Sequence, residues 1–315
     1  MSDLFETMGA SPMLIGAERS PFDDENYLYE LKLDGVRCLA YLDKGRMELQ
    51  NKRNLRVAPI YPELAAINKR VKSRCILDGE LIVMQDGKPN FAEIQRRALM
   101  SDPFKIQMAA AKLPVSFTAF DILYLKNEEV MDRPLYQRKE LLSEVVREND
   151  RIAVSRYLTG TGVALFQLTE QNGLEGVVAK RRDSFYYCGK RTKDWIKSKN
   201  LQDDDFVLCG YIHKSKGVVS LVLGQYSSEG GRLLYKGHVT LGVSGGDFER
   251  IASLETIRAP GFEELPKGNE RAVWVTPKLV GTVKYMERTA SGSLRQPVFK
   301  GIRDDKRPEE CRVQA

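Results

Sequence analysis

The sequence predicts a mixed α and β protein of two domains, the second of them a small β-barrel. The chain has 315 residues, enough for two ordinary domains that each bury a core. Helix-like and strand-like segments mix before residue 200, whereas after it short strand-like segments alternate with glycine and serine turns. We therefore place the boundary near residue 202, with domains at 1–202 and 203–315.

The predicted elements of the first domain follow from hydrophobic periodicity. Strands are predicted at 27–33 and 36–42 around a turn at Asp34-Gly35, and 75–84 repeats this pattern with a break at Asp78-Gly79. Helical spacing is found at 62–71, at 91–100 after a Pro-Asn start, and at 138–149. Further strands are predicted at 115–125, 174–180 and 195–199.

The second domain follows a run of acidic residues, Asp203 to Asp205, which we interpret as exposed charge at a linker. Alternating strand-like segments then occupy 206–212, 218–226, 232–242 and 272–287.

Composition excludes several classes of protein. With 49 Lys+Arg against 43 Asp+Glu the net charge is +6, which permits a polyanionic partner without establishing one. No apolar run approaches the roughly 18–20 residues that a membrane helix needs. The N-terminus lacks a basic start followed by an apolar stretch, so we expect a cytoplasmic protein without membrane contact. Five cysteines without CxxC spacing and two histidines argue against a disulfide framework, a zinc site and histidine-based catalysis.

Lys32 is the candidate nucleophile because it lies in an alternating strand between Leu31 and Leu33. A half-buried lysine among apolar neighbours loses its proton more readily, and a neutral amine is a nucleophile. The following Asp34-Gly35 turn would return Arg37 towards the same site, where it could hold a ribose or phosphate. Taken alone, KxDGxR also fits a solvated hairpin.

The rest of the chain carries further motifs in a set order. After Lys32-Leu33-Asp34-Gly35 come Asn51-Lys52-Arg53-Asn54, Leu77-Asp78-Gly79-Glu80, FTAFD at 117–121, EGVVAK at 175–180, Arg191 with WIKSK at 195–199, and FKGIRDDK at 299–306. This order resembles the covalent nucleotidyltransferase superfamily, and specifically the ATP-dependent DNA ligases, from about residue 27 to 307. The segments GQYSSEGGRLLYKGHVTLGVS and SGSLRQPVFKGIRDDK look like the ligase module of bacterial end-joining proteins of the ligase D type.

The resemblance implies an α+β fold, with an ATP-grasp-like adenylation (nucleotidyltransferase) domain followed by an OB-fold domain. It also implies a three-step reaction. The lysine is adenylated by ATP, AMP moves to the 5′-phosphate at a DNA nick, and the 3′-hydroxyl attacks that activated end.

The resemblance assigns Lys32 as the nucleophile and places Glu30 beside the adenine, to accept from its 6-amino group. It places Arg37 and Arg53 on the ribose or the DNA 5′-phosphate, Glu80 on the ribose or a metal, Phe120 stacked on adenine and Glu175 on a metal. Lys180, Arg191, Lys197 and Lys199 would surround the phosphates, and Arg303 and Lys306 would orient the leaving pyrophosphate. Asp34 could orient Lys32 or serve a metal. In many members of the family this segment reads Ser-Arg-Asn-Gly, whereas here Lys52 and Leu55 flank Arg53-Asn54, and the missing glycine predicts a different turn beside Arg53.

ATP and Mg²⁺ or Mn²⁺ are the cofactors that this resemblance implies, because two carboxylates and a triphosphate favour hard cations. The implied partner is nicked or broken duplex DNA in the bacterial nucleoid, bound mainly through its backbone, together with the DNA-end protein Ku. Only about 30 residues precede Lys32, too few for a separate DNA-binding domain, and we expect a monomer. The alternatives are an RNA ligase or a GTP-dependent capping enzyme of the same superfamily, or a nucleic-acid-binding module without activity.

Overall fold

The computed structural model describes residues 3–228, 231–259, 261–262, 264–289 and 292–313. Residues 229, 230 and 291, which belong to the quoted C-terminal segments, lie outside this description. The fold divides into two compact units, Met1–Asn200 and Leu201–Ala315, whereas the sequence places the boundary at 202. In the part of the chain that is described, no helix is long and apolar enough to cross a membrane.

The first unit mixes strands and helices, as predicted. Its strands are β1 (Leu14–Glu18), β2 (Tyr27–Leu31), β3 (Val36–Asp43), β4 (Arg46–Asn51), β5 (Cys75–Gln85), β6 (Lys88–Pro89), β7 (Val115–Leu125), β8 (Glu128–Glu129), β9 (Ile152–Val154), β10 (Tyr157–Thr159), β11 (Gly176–Arg181) and β12 (Arg191–Lys199). Its helices are α1 (Leu4–Thr7), α2 (Phe91–Ala98), α3 (Pro103–Lys112), α4 (Leu135–Val145) and α5 (Gly162–Gln171).

These strands form two sheets. One has the order β1-β12-β11-β2-β10, and the other has the order β4-β3-β5-β7-β8, with β6 paired to β5 and β9 paired to β7. The two sheets share a core in which Trp195 of the first packs with Phe120, Leu39 and Tyr41 of the second. The far face of the second sheet packs with Ile94 of α2 and Leu142 of α4, and α5 covers the far face of the first with Phe166.

The Asp34-Gly35 segment is not the hairpin turn that the sequence predicts. β2 pairs with β10 and β11, whereas β3 pairs with β4 and β5, so these residues carry the chain from one sheet to the other. A two-residue hairpin needs positive φ angles, and Gly35 is not among the positive-φ glycines. Glycine is needed there for close approach, because a Cβ atom would lie 2.3 Å from the Leu81 carbonyl oxygen.

Three other predicted elements differ in detail. β5 continues through Asp78-Gly79 without a break, because Gly79 absorbs a bulge and lies against the Phe117 ring. The predicted helix at 62–71 is two 3₁₀ turns, Pro62–Leu64 and Ile67–Arg70. The predicted helix at 138–149 is α4, which begins after Pro134 and ends before the extended Val146.

The second unit is a curled antiparallel sheet with one helix of regular α type among its described residues. Its elements are β13 (Gln202–His213), β14 (Val219–Tyr226), β15 (Leu233–Val239), α6 (Gly245–Ala252), β16 (Thr256–Ile257), β17 (Val273–Tyr285) and β18 (Val298–Arg303). The strand order is β15-β14-β13-β17-β16, and β18 also pairs with β17. The core of this unit contains Phe206, Leu223, Val283 and Phe299.

The interpretation of Asp203 to Asp205 as exposed linker charge is wrong for two of the three residues. They lie in β13, and Asp205 is only 9% exposed. Asp204 accepts from Arg288 at 2.6 Å and from the buried Gln225 at 3.0 Å. A buried carboxylate requires such partners, so these aspartates hold the second unit together.

Candidate active site

Lys32 lies directly after β2, at the point where β2 runs beside the start of β11. Its backbone N–H donates to the Gly176 carbonyl at 2.8 Å. The side chain is 20% exposed, and its Nζ atom lies 2.7 Å from Oε1 of Glu175. Strand pairing therefore joins the KxDG and EGVVAK motifs, and an ion pair connects the predicted nucleophile Lys32 with the predicted metal ligand Glu175.

The register of the sheet places the other predicted residues on the same face as Lys32. Directly opposed residues share a face of the sheet, and so do residues two apart along a strand. Because Glu30 opposes Val178 and Val178 opposes Lys197, this face carries Glu30, Lys32, Lys180, Lys197, Lys199 and Trp195. The opposite face packs Tyr29, Val177, Ala179 and Ile196 into a core.

The charged groups on this face occupy three levels along the strands. Lys199 opposes Gly176, at the same level as Lys32; Lys197 opposes Val178, at the level of Glu30; and Lys180 opposes Leu28, four residues before Lys32 along the chain. At a rise of about 3.3 Å per residue the outer levels are about 13 Å apart, and the middle level is about 7 Å from each. The register therefore separates Lys180 from Lys199, with which the sequence analysis grouped it, and places Lys197 between them.

Lys197 and Lys199 share a partner that the sequence analysis did not identify. Glu18 of β1 opposes Lys197, and its Oε2 lies 3.0 Å from the Lys197 Nζ and 3.8 Å from the Lys199 Nζ. Burial lowers the pKa of Lys199, and the charge on Lys197 lowers it further. Arg191, at the exposed start of β12, donates to the Ile15 carbonyl at 2.5 Å.

Glu30 is the centre of a buried charged cluster. Its Oε1 lies 2.7 Å from Nζ of Lys139 in α4 and 2.9 Å from Nζ of Lys180. All three residues are at most 3% exposed, and the Ser155 hydroxyl also hydrogen-bonds to Glu30. Burial opposes the charge on Glu30, but the two lysines outweigh it and lower its pKa. Sequence reasoning missed Lys139.

Lys180 experiences the converse effect. Burial lowers its pKa to about 8, against the attraction of Glu30, and the charge on Lys139 acts in the same direction as burial. Its Nζ lies 4.2 Å from the Phe120 ring centroid and 4.5 Å from that of Trp195.

Arg37 is held within the first unit by Asp78. Two guanidinium nitrogens donate to Asp78 at 2.6 and 2.5 Å, and the Tyr186 hydroxyl donates to the same carboxylate at 2.6 Å. Tyr186 in turn accepts from the Met13 N–H at 2.8 Å. Burial opposes the charge on Arg37, but Asp78 raises its pKa above the ordinary value. Arg37 is thus a positioned cation rather than a mobile one.

Phe120 is a core residue with 8% exposure. The Arg37 guanidinium carbon lies 4.3 Å from its ring centroid, in addition to Lys180 at 4.2 Å, and Trp195 packs edge-on against it. The predicted stack on adenine would require one of these cations to move aside.

Glu80 opposes Arg37 across β3 and β5. Burial raises the pKa of Glu80 to about 8, although Arg37 and Lys32 pull in the other direction. Its carboxylate has no hydrogen-bond or ion-pair partner among the described residues. A carboxylate in this state is suited to a cation or a hydroxyl donor.

Arg53 is exposed in a tight turn after β4. The Asn51 side chain accepts from the Arg53 and Leu55 N–H groups at 2.9 and 3.1 Å. Asn54 has φ 61°, the left-handed conformation that glycine adopts most easily and asparagine tolerates. The turn is therefore left-handed at Asn54, although Leu55 replaces the glycine that many members of the family have.

Arg303 and Lys306 lie in the second unit, where both contact acids of that unit. Lys306 donates to Asp205 at 2.8 Å, and Arg303 donates to Asp205 at 3.4 Å and to Asp305 at 2.7 Å. Burial opposes the charge on Asp205, but Lys306 and Thr282 lower its pKa. These two predicted pyrophosphate ligands are therefore held by carboxylates.

Family models match both units of this chain. Residues 12–199 match the ATP dependent DNA ligase domain, and residues 214–306 match the ATP dependent DNA ligase C terminal region. The chain belongs to the ATP-dependent DNA ligase family. The resemblance found in the sequence motifs is thus confirmed, and with it the OB-fold class of the second unit.

Two curated relatives show how much of a longer protein this ligase covers. The multifunctional non-homologous end joining protein LigD of Mycolicibacterium smegmatis is 32% identical over 91% of this chain, but only 37% of LigD is covered. The prophage-derived DNA ligase-like protein LigB of Bacillus subtilis is 28% identical over 94% of this chain and 100% of its own length. The chain thus spans about a third of LigD but all of LigB.

A solved structure described as mycobacterial DNA ligase D complexed with ATP and MES matches 97% of this ligase and 98% of its own chain. It is 30% identical, with a TM-score of 0.56. A Lig E DNA ligase, 19% identical over 93% of this chain and 99% of its own, shares the fold with a TM-score of 0.63.

Proposed function

We propose that this chain seals 5′-phosphate/3′-hydroxyl nicks in duplex DNA through an AMP bound covalently to Lys32, in the joining of broken DNA ends. The observation that carries the proposal is the position of Lys32. It is an amine that is 20% exposed, paired with Glu175, on a sheet face that also carries Lys197 and Lys199.

The arrangement of charge along the strands supports one orientation for ATP. Glu30 and Lys180 form a buried ion pair that supplies an acceptor and a donor, which suits the amino group and ring nitrogen of an adenine edge. Lys32 and Lys199 supply cations about 13 Å from the level of Lys180, and Lys197 supplies one between them, as phosphates require. The proposed base therefore binds near Glu30 and the α-phosphate binds near Lys32.

Three bond exchanges make up the proposed reaction. The Lys32 Nζ bonds to the α-phosphorus while the bond to pyrophosphate breaks, and the amine loses its protons to solvent or a base. The 5′-phosphate of the nick then takes AMP from Lys32. Finally the 3′-hydroxyl attacks the 5′-phosphorus and AMP leaves. Glu175 orients the amine before the first step.

A divalent metal fits the carboxylates near Lys32. The described residues contain no group of three or more His, Cys, Asp or Glu side chains able to hold a metal by themselves. Glu80 is a partly buried carboxylate with no hydrogen-bond or ion-pair partner among the described residues, and burial raises its pKa, as do the charges on Asp78 and Glu175. Glu80 and Glu175 would hold Mg²⁺ or Mn²⁺ together with nucleotide oxygens, and such an ion would neutralise phosphate charge.

Label transfer tests the nucleophile and the nucleotide. The protein is pretreated with pyrophosphate to remove bound AMP, incubated with α-labelled ATP or GTP and Mg²⁺, and run on a denaturing gel. We expect label from ATP alone, loss of label in Lys32→Ala, no loss in the exposed control Lys112→Ala, and discharge by nicked DNA with a sealed product.

Other outcomes of that experiment select the alternatives. Label from GTP would indicate capping chemistry, and discharge by nicked RNA alone would indicate an RNA ligase. No label after pyrophosphate treatment would leave a nucleic-acid-binding module and refute the proposal.

End joining and partner choice rest on the likeness to LigD, of which this chain covers about a third. We propose that the ligase works on broken duplex DNA in the cytoplasm, as a monomer, with a DNA-end protein of the Ku type. DNA contacts should be mainly to phosphates, so the affinity for a nicked duplex should fall steeply between low and moderate salt. An affinity that does not change with salt would contradict the proposed phosphate contacts. A failure to co-purify with Ku on DNA ends would contradict the proposed partner.

A further inference from the structure

The buried charged cluster consists of Glu30, Lys180 and Lys139 of α4. The proposed reaction assigns a role to Glu30 and Lys180 but not to Lys139. Its Nζ lies 2.7 Å from Oε1 of Glu30, and its side chain is 1% exposed. The contact is an ion pair, and neither atom makes a hydrogen bond of regular geometry among the described residues. Burying a charge costs free energy unless it has a partner of opposite charge. Among the described residues, the ion-pair partner of Lys139 is Glu30.

The position of Lys139 is fixed by its neighbour in sequence. Arg138 is fully buried and donates to both carboxylate oxygens of Asp121, at 2.8 and 2.9 Å, which fixes this turn of α4 against β7. The Lys139 ammonium therefore approaches Glu30 from a rigid helix, whereas Lys180 approaches it from β11 in the same sheet.

Two lysines on one carboxylate oxygen give the cluster one positive charge in excess. Lys180 has an aromatic surface within reach of its Nζ, with Phe120 at 4.2 Å and Trp195 at 4.5 Å. If Lys180 turns away from Glu30, the carboxylate keeps Lys139 and stays charged. Without Lys139, Lys180 would be the sole cation in contact with Glu30, and leaving it would strand a buried charge.

We propose that Lys139 is a positioning residue for the nucleotide base: it holds the Glu30 carboxylate in place and charged, and so frees Lys180 to donate to the base. This inference rests on the proposed function. Lys139 does not touch the nucleotide and should therefore affect nucleotide binding and choice of base more than the chemical step.

The test compares Lys139→Met, which removes the charge, with Lys139→Arg, which keeps it, and with the exposed lysine control Lys112→Met in α3. Initial rates of label transfer give KM and kcat for ATP and for GTP. For Lys139→Met we expect the KM for ATP to rise about tenfold with kcat within about twofold, and the preference for ATP over GTP to fall. Lys139→Arg should restore most of both, and Lys112→Met should match the unaltered protein.

A second measurement separates positioning from a merely structural role. Binding of α,β-methylene ATP, whose P–C bond cannot transfer AMP, is followed against pH. Lys180 donates most strongly when it is charged, and the groups facing it are Glu30 on β2, Lys139 on α4 and Asp121 on β7. Removing the like charge of Lys139 raises the pKa of Lys180, so the alkaline loss of binding should move to higher pH in Lys139→Met and not in Lys139→Arg.

The outcomes are distinguishable. Unaltered protein that takes no label overturns the proposed function and this inference with it. Labelled protein whose Lys139→Met variant keeps the KM, the base preference and the alkaline limb overturns the inference alone. If circular dichroism shows that Lys139→Met does not fold, Lys139→Gln replaces it, with the same expectations. A variant in which kcat falls while the KM for ATP stays unchanged also refutes the positioning role.

Discussion

The buried ion pair between Asp121 and Arg138 gives a quantitative prediction for the first unit. Both side chains are 0% exposed, and the pair makes two hydrogen bonds of 2.8 and 2.9 Å. Asp121→Asn removes the negative charge and leaves a buried guanidinium. Breaking one side of such a pair typically costs about 3–5 kcal/mol. Arg138 retains the Arg133 and Ser184 carbonyls as acceptors, so we expect the lower end, about 3 kcal/mol.

The assay uses the fact that the chain has two tryptophans, one in each unit. In a Trp274→Phe background, fluorescence of Trp195, which is 1% exposed, reports the first unit alone. With a urea m-value of about 3 kcal/mol per molar, the midpoint should fall by about 1 M. The control is Asp183→Asn, since Asp183 forms a solvent-exposed ion pair with Arg181. The urea midpoint of this variant should equal that of the unaltered protein.

The pH dependence of this effect has a defined sign. Burial opposes the charge on Asp121, but Arg138 outweighs it and lowers its pKa below the ordinary value. The contribution of the pair is therefore complete above the ordinary aspartate pKa and is lost as the pH falls through the lowered one. The midpoints of the unaltered protein and of Asp121→Asn should thus converge in acid. A midpoint shift below about 0.3 M at neutral pH, or one that grows in acid, would refute the reasoning.

Substitutions at three further positions test other parts of the chain. Gly176→Ala should lower the stability of the first unit and weaken label transfer. Gly176 has φ 135°, and a Cβ atom at this position would lie 2.1 Å from the Ser198 carbonyl oxygen. Unchanged label transfer would contradict this prediction. Asn54→Ala should cost about 1 kcal/mol by urea denaturation and Asn54→Gly should cost less, since the position is left-handed; equal losses would contradict this. Asp205→Asn should lower the stability of the second unit, as measured by the fluorescence of Trp274. Because the pKa of Asp205 is lowered in the folded protein, the loss of stability should be largest above the ordinary aspartate pKa and should vanish in acid. A loss that does not depend on pH would contradict this prediction.

The sequence predicted the strands that carry the site because their periodicity is clear. The predicted strand at 115–125 matches β7, and those at 27–33, 36–42 and 174–180 differ from β2, β3 and β11 by a few residues. Periodicity does not report which strands pair. The hairpin predicted at Asp34-Gly35 failed for that reason, since a DG pair marks a bend in either case.

The residues that sequence reasoning missed act through contacts distant in sequence. Lys139 reaches Glu30 from a helix 109 positions later, and Tyr186 holds Asp78 from 108 positions away. Asp78 stood in a quoted motif, but its carboxylate could not be assigned to Arg37 without the sheet register. Glu18 had no signal at all, because it meets Lys197 through a parallel pairing of β1 with β12.

The crossing of the chain between the sheets explains why one short motif serves both sides of the site. Lys32 directly follows a strand of the first sheet and pairs with Glu175, whereas Arg37 is the second residue of a strand of the second sheet and pairs with Asp78. The residues between them must bridge the two sheets, and at Gly35 they pass too close to the Leu81 carbonyl for any side chain. The proposed nucleophile Lys32 and the cation of Arg37 are thus held on different sheets, and the six residues 32–37 fix the distance between them. Lengthening this segment by one residue would leave both ion pairs possible but would remove the fixed distance between them, which is the property that positioned phosphoryl transfer requires.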